Sequence, residues 1–111
     1  MEVSALREGV IKVALVGRLD SAGVDRIETR FLASIVPGGC SAIVDLSQVD
    51  FIASMGIRMI TSAVRSLRAR NASAALYGAQ PLVREVLGMV NLGQVVPICS
   101  TEAEALAALA V

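Results

Sequence analysis

The sequence predicts an α/β fold in which helices pack on a mainly parallel sheet. The chain has 111 residues, which is room for one domain over residues 1–111 and for one hydrophobic core. Short apolar runs alternate along it with segments whose apolar residues recur at helical spacing, in the order β-β-α-β-α-β-α-β-α. Hydrophobic residues make up 55% of the chain but aromatic residues only 3%, so the core is predicted to be aliphatic.

The first two strands are predicted to form a hairpin. Residues 9–17 are rich in β-branched side chains, which favour strands, and we expect this strand to end at Gly17. Residues 2–6 are a candidate edge strand beside it, with the turn at Glu8 and Gly9.

A helix and a buried strand are predicted next. Asp20 and Ser21 are both good N-cap residues for a helix that stops before Pro37, a helix breaker followed by two glycines. Residues 41–46 form a short apolar run between turn formers, which predicts a buried strand. Residues 47–53 are either a loop or an extension of that strand.

The second helix is predicted to be long and amphipathic. Ser54 is its predicted N-cap, and it runs to about Asn71. One face carries apolar residues at helical spacing, and the other carries serine and arginine. The apolar face comprises Ile57, Ile60, Val64 and Leu67, and the polar face comprises Arg58, Ser62, Arg65 and Arg68.

The last third of the chain predicts two strands and two helices. Residues 73–77 and residues 94–98 are the strands, and Pro81 suits the first turn of the third helix. Thr101 and Glu104 have the spacing of a capping box for the closing helix. The apolar residues of the third helix are Leu82, Val83, Val86 and Leu87.

Composition argues against several classes of function. The ten basic residues balance the ten acidic ones, so net charge gives no reason to expect a nucleic-acid partner. The chain has no histidine, and no glycine-rich phosphate loop follows a strand. Cys40 and Cys99 lack metal-ligand spacing. We therefore expect no catalytic residue, no metal and no cofactor, and a protein that is not an enzyme.

The amino-acid sequence also predicts no targeting or membrane-spanning segment. The first residues lack the basic and apolar regions of a signal peptide, and no apolar run approaches the ~20 residues that span a bilayer. We expect a soluble, cytoplasmic protein with reduced cysteines and no membrane insertion. Residues 51–84 carry five arginines and no acid, which is either ordinary solvated surface or a basic face for an acidic partner.

The most informative segment is residues 45–57, DLSQVDFIASMGI. A buried strand ends there, the apolar pair Phe51 and Ile52 is predicted to turn inward, and a helix begins at Ser54. The start of that helix exposes unpaired N–H groups and the positive end of the helix dipole. Gly56 in the first turn costs up to ~1 kcal/mol relative to alanine, which makes sense if something approaches the backbone closely.

This segment, together with GRLDSA at residues 17–22, resembles the STAS domain. The family includes the anti-sigma factor antagonists of bacterial partner-switching systems. The resemblance covers essentially the whole chain in the right order. It implies a mixed, mostly parallel sheet of four to five strands, with about four helices packed mainly on one side.

The resemblance also implies a mechanism and a partner. In the family, an unphosphorylated antagonist binds a kinase-fold anti-sigma factor and so frees the sigma factor. Phosphorylation at the start of the second helix breaks that complex, and a phosphatase restores it. The partner-binding residues that the resemblance implies in this chain are Asp20, Ser21, Asp50, Ala53, Ser54, Met55, Gly56, Ile57 and Arg58.

One departure from the family pattern leaves two functions open. The family has Asp-Ser-Ser/Thr-Gly-Leu at this turn, and the second hydroxyl is phosphorylated. Here Met55 stands at the acceptor position and Ala53 stands at the position of the acid. Ser54, one residue early, is either a helix cap alone or also a phosphoacceptor. The chain is therefore either an anti-sigma factor antagonist or a non-phosphorylated STAS subunit of a lipid-transporter or signalling scaffold complex.

Some single positions also stay open at this stage. Asp20 either caps the first helix or contacts the partner, and Asp50 either satisfies turn amides or contacts the partner. Met55 and Ile57 either form an exposed apolar patch or turn inward, with exposure favoured for Met55. Exposed apolar surface on the helices also leaves open whether the chain forms a homodimer.

Overall fold

The computed structural model of the chain describes residues 1–35 and 38–109. The strands and helices follow one another in the predicted order, and the predicted helix breaker Pro37 lies outside the described residues. The strands are β1 Glu2–Arg7, β2 Val10–Leu19, β3 Ser41–Ile52, β4 Ala74–Tyr77 and β5 Ile98–Cys99. The helices are α1 Ser21–Ile35, α2 Ser54–Ala69, α3 Pro81–Met89 and α4 Glu102–Ala108, with a 3-10 turn at Leu92–Gln94.

The five strands form one sheet in the order β1-β2-β3-β4-β5. The β1–β2 hairpin is antiparallel and the other three pairs are parallel, which confirms the mixed, mostly parallel sheet. The prediction that the second strand ends at Gly17 is wrong. Gly17 adopts a φ of +88° inside β2, where the pairing with β3 shifts register, and the strand continues to Leu19.

Two apolar clusters lie on the two faces of the sheet, because successive strand residues point to opposite sides. The larger cluster is covered by α1, α2 and α3 and includes the fully buried Phe31. The smaller cluster lies under α4 and includes Tyr77 and Ala105. Three of the four helices therefore pack on one side, as the resemblance implied.

Helix α4 is capped at its start and is joined to the sheet by an ion pair. The Thr101 half of the predicted capping box is confirmed, since the Thr101 hydroxyl accepts the Glu104 N–H at 3.2 Å, whereas the return bond goes to the residue before the cap. The Glu104 carboxylate accepts the N–H of Ser100 at 3.0 Å. Lys12 in β2 forms an ion pair with Glu102 at 2.9 Å, which joins the helix to the sheet.

The predicted strand over residues 94–98 is wrong in extent. Only Ile98–Cys99 pair as β5, because the preceding stretch forms the 3-10 turn and Pro97 has no N–H to donate. In the part of the chain that the structure describes, no helix combines the length and the apolar character needed to cross a membrane.

Candidate partner-binding surface

The two segments of the sequence motif meet at one edge of the sheet. Leu19 at the end of β2 pairs with Ile52 at the end of β3, and the carboxyl ends of parallel strands lie at the same edge. The Ala53 N–H donates to the Leu19 carbonyl at 3.1 Å. Helices α1 and α2 begin two residues after these strand ends, so their N-termini are neighbours.

Two glycines allow both helices to start so close to β2. A Cβ added to Gly23 would overlap the Arg18 carbonyl. A Cβ added to Gly56 would lie 2.9 Å from both the Cβ and the carbonyl oxygen of Leu19. The close neighbour of Gly56 is therefore the chain's own strand. Gly56 itself is buried, so the contacts that the structure gives it are packing contacts beneath the surface.

Asp20 is held by two hydrogen bonds at the start of α1. Its carboxylate accepts the Gly23 N–H at 2.9 Å and the Arg18 Nε–H at 3.2 Å. The Gly23 N–H, and after it the Arg18 guanidinium, lower the pKa of Asp20 below its ordinary value. The predicted N-cap role of Asp20 is confirmed. Ser21 next to it is the first residue of α1 and is exposed.

Ser54 is not the cap of α2, so that prediction is wrong. Strand β3 continues to Ile52, and the extended residue before the helix is Ala53, with φ −128° and ψ −175°. The Ala53 carbonyl accepts the N–H groups of Gly56 and Ile57 at 3.0 and 3.1 Å. Ser54 is the first helical residue and is exposed, and the residues described in the structure offer its hydroxyl no hydrogen bond.

The apolar side chains of this turn are arranged differently from the prediction. Met55 and Ile57 are both half-buried and pack against the larger core, so Met55 is less exposed than expected. Of the pair predicted to turn inward, Ile52 is buried but Phe51 is 38% exposed. The reason is that adjacent strand residues point to opposite faces.

The Arg18 guanidinium lies over the exposed Phe51 ring, 4.3 Å from its centroid. Sequence reasoning missed Arg18. The available signal was its place in the motif at residues 17–22, two residues before Asp20. The contact links the end of β2 to the end of β3.

Asp50 is exposed, and it is not the acceptor of the nearby Ser47 amide. Asp45 accepts that N–H instead, at 2.8 Å.

On α2, Ser54, Arg58 and Arg65 lie along one shallow depression. This side of the surface is therefore hydroxylic and basic.

Helix α3 adds exposed apolar side chains that the sequence analysis missed or misplaced. Leu82 was assigned to the apolar face of the helix but is 72% exposed, and Met89 is 75% exposed. The buried face consists of Val83 and Leu87. A signal was present, because Leu82, Val86 and Met89 form a second apolar stripe at i, i+4 and i+7.

The fold and this surface define a small α/β domain whose candidate site is built from two neighbouring helix N-termini. Nowhere within residues 1–35 and 38–109 do three or more histidine, cysteine or carboxylate side chains converge as metal ligands. The STAS domain family model matches residues 4–105, and the chain belongs to this family.

Known relatives agree with this assignment. The chain is 27% identical over 101 residues to BtrV of Bordetella bronchiseptica, named as an anti-sigma factor antagonist, with 91% of this chain and 87% of that protein covered. Its fold is similar to that of unphosphorylated SpoIIAA of Bacillus, an anti-sigma factor antagonist, with a TM-score of 0.78 and 24% identity over 95% of this chain and 91% of that one. It is also similar to the STAS domain of a SulP transporter from Vibrio cholerae, with a TM-score of 0.71 and 24% identity over 95% of this chain and 84% of that one.

Proposed function

We propose that this chain is an anti-sigma factor antagonist that binds a kinase-fold anti-sigma factor and so frees a sigma factor. It acts in the cytoplasm as a binding module and not as an enzyme. The observation that carries the proposal is the 27% identity along 101 residues to BtrV, a protein whose name describes an anti-sigma factor antagonist and does not specify its partner. The closeness of the two motif segments at one sheet edge supports it.

The proposed contact surface has one rigid part and one basic part. The rigid part is the start of α1, where Asp20 is fixed by Gly23 and Arg18. The basic part is the exposed side of α2, where Arg58 and Arg65 lie about two helical turns apart. Since residues 51–84 contain no acid, this side suits an acidic surface on the partner.

Ser54 is the proposed site of control by phosphorylation. Its hydroxyl is exposed at the first position of α2, where the helix dipole favours a negative group. A phosphate adds a charge of about −1.5 to −2 at pH 7. Arg58 lies one turn further on and in the same depression, so it can pair with that phosphate. Phosphorylation then removes a basic contact from the interface and weakens the complex, and a phosphatase reverses this.

The test is isothermal titration calorimetry with a kinase-fold anti-sigma factor from the same genome. We expect the unmodified chain to bind and Ser54→Asp to bind at least about tenfold more weakly, since one lost charge-assisted contact costs about 1.5–3 kcal/mol. Ser4→Asp is the matched control, because it adds the same charge on exposed β1, beside Lys12 and away from the starts of α1 and α2. Absence of binding by the unmodified chain contradicts the proposal. An equal loss in both variants contradicts the role of Ser54.

A second candidate is favoured by Met55, which stands at the family's acceptor position. In this candidate the chain is a non-phosphorylated STAS subunit of a lipid-transporter or signalling scaffold complex. It predicts no phosphate on Ser54 under any growth condition, and co-purification with membrane ATPase components. Phosphosite mapping by mass spectrometry, with Ser54→Ala as reference, separates the two. Analytical ultracentrifugation tests whether either form is a homodimer.

A further inference from the structure

A groove of about 250 Å³ lies between the end of β3 and helix α3. Phe51 and Ile52 line it from the strand, and Leu82, Val86 and Met89 line it from the helix. Three of these large apolar side chains, Phe51, Leu82 and Met89, are exposed. Isolated exposed apolar residues are ordinary on a protein surface, but a contiguous group of them on so small a domain is typical of a contact site.

The groove exists because β3 is longer than its neighbour β4. The two strands pair only from Ala42 to Asp45 of β3, so the rest of that edge of β3 faces α3 instead of a strand. Gln80, just before α3, holds the helix there by donating its side-chain amide to the Ser47 carbonyl at 3.0 Å. The space between strand and helix is thus set by backbone geometry.

One wall of the groove is fixed before anything binds. Phe51 is covered on one side by the Arg18 guanidinium, and Arg18 is held in turn by Asp20. A wall held in this way loses little conformational freedom on binding, which favours affinity.

The rim of the groove is acidic. Asp50 and Glu85 both line it, and among the described residues that do so there is no lysine or arginine. Arg18, which stacks on Phe51, has its charge offset by Asp20 at 3.2 Å. Small-molecule pockets usually measure ~300–1,000 Å³, so this groove suits one or two side chains of another protein better than a small ligand.

We propose that this groove docks a polypeptide segment of a partner protein that presents two apolar side chains flanked by lysine or arginine. The apolar side chains cover Leu82 and Met89 against Phe51, and the basic residue lies between Asp50 and Glu85. The proposal stands on the groove alone and holds for either candidate function above. If the groove binds no such segment, both candidate functions still stand.

The test is methyl NMR on the full chain with labelled Leu, Val and Met. The probes are three synthetic twelve-residue peptides, each with two leucines four residues apart. In one the leucines are flanked by arginine, in the second by glutamate, and in the third serine replaces leucine. We expect the arginine peptide to shift the methyl signals of Leu82, Val86 and Met89 and to leave Val3 on β1 unmoved. The serine peptide should shift none.

Variants at the groove separate charge from apolar contact. Glu85→Gln should weaken binding of the arginine peptide about two- to fivefold, as expected for one exposed ion pair. Leu82→Ser should remove the binding, and Leu6→Ser, its matched control on β1, should leave it unchanged. Since Glu85, Leu82 and Leu6 are all exposed, we expect each variant to keep the fold, which circular dichroism checks.

Three outcomes overturn the inference. The first is that the groove methyl signals do not move with the arginine peptide, and the second is that the glutamate peptide binds equally well. The third is self-association in analytical ultracentrifugation that Leu82→Ser abolishes, which would assign the groove to a second copy of this chain.

Discussion

Replacement of Gly56 by alanine tests the contact that sets α2 against the end of β2. The added Cβ would lie 2.9 Å from the Leu19 carbonyl oxygen, the Leu19 Cβ and the Ile52 Cγ1. The backbone oxygen cannot move aside without shifting β2, which pairs with β3 at this point. We therefore expect Gly56→Ala to destabilise the fold and to displace the start of α2.

The magnitude follows from two opposing terms. Alanine gains up to ~1 kcal/mol over glycine in helix propensity, and overpacking a buried site costs about 1–3 kcal/mol. Gly88→Ala in α3 is the matched control, because nothing lies within 4 Å of its added Cβ and only the propensity term applies. The free energies of unfolding of the two variants should therefore differ by about 2 kcal/mol, with Gly88→Ala the more stable.

The assay is urea denaturation followed by circular dichroism, repeated as thermal melting. For a domain of 111 residues, with an unfolding entropy of about 2.1 cal/mol/K per residue, a difference of about 2 kcal/mol corresponds to roughly 8–9 °C in Tm. The reasoning is refuted if Gly56→Ala is as stable as Gly88→Ala, since that would mean that α2 does not start against Leu19.

Three further predictions concern stability and are checked by denaturation. The lowered pKa of Asp20 means that its charge stabilises the fold above the ordinary value of 3.8 and that this contribution is lost as the pH falls through the folded pKa. Asp20→Asn should therefore be less stable than the parent chain at neutral pH, and the gap should close in acid; a gap independent of pH would contradict this. Thr101→Ala should cost about 1 kcal/mol through loss of the α4 cap, and no loss would exclude that cap. Phe31→Ala should cost about 3–5 kcal/mol, because Phe31 is the largest fully buried side chain; a cost under about 1 kcal/mol would be inconsistent with that burial.

The order of strands and helices could be predicted because each helix has a clear period or cap. Pro81 at the first position of α3 and Thr101 before α4 are local signals that need no tertiary information. The start of α2 could not be predicted in the same way. Ser54 has the ideal residue type for a cap, but the length of β3 is set by its pairing with β2, which moves the cap to Ala53.

The candidate surface was also predictable only in part. The motif placed Asp20 and Ser54 in two turns, and the parallel pairing of β2 with β3 brings those turns together. The exposure of Phe51 follows from the alternation of side chains along β3, and the apolar stripe of α3 that contains Leu82 was visible in its spacing. That the two face each other depends on where β4 stops pairing with β3, which no local pattern in the sequence records. The groove therefore becomes visible only in the folded chain.

The central claim is that the neighbouring starts of α1 and α2 bind a kinase-fold anti-sigma factor. Hydrogen–deuterium exchange of the chain, alone and mixed with that protein, tests it most directly, since the first N–H groups of a helix have no partner within the helix. We predict slower exchange at residues 21–22 and 54–55 in the mixture, and unchanged exchange in β1. Unchanged exchange at both helix starts would contradict the claim, as would protection confined to another part of the chain.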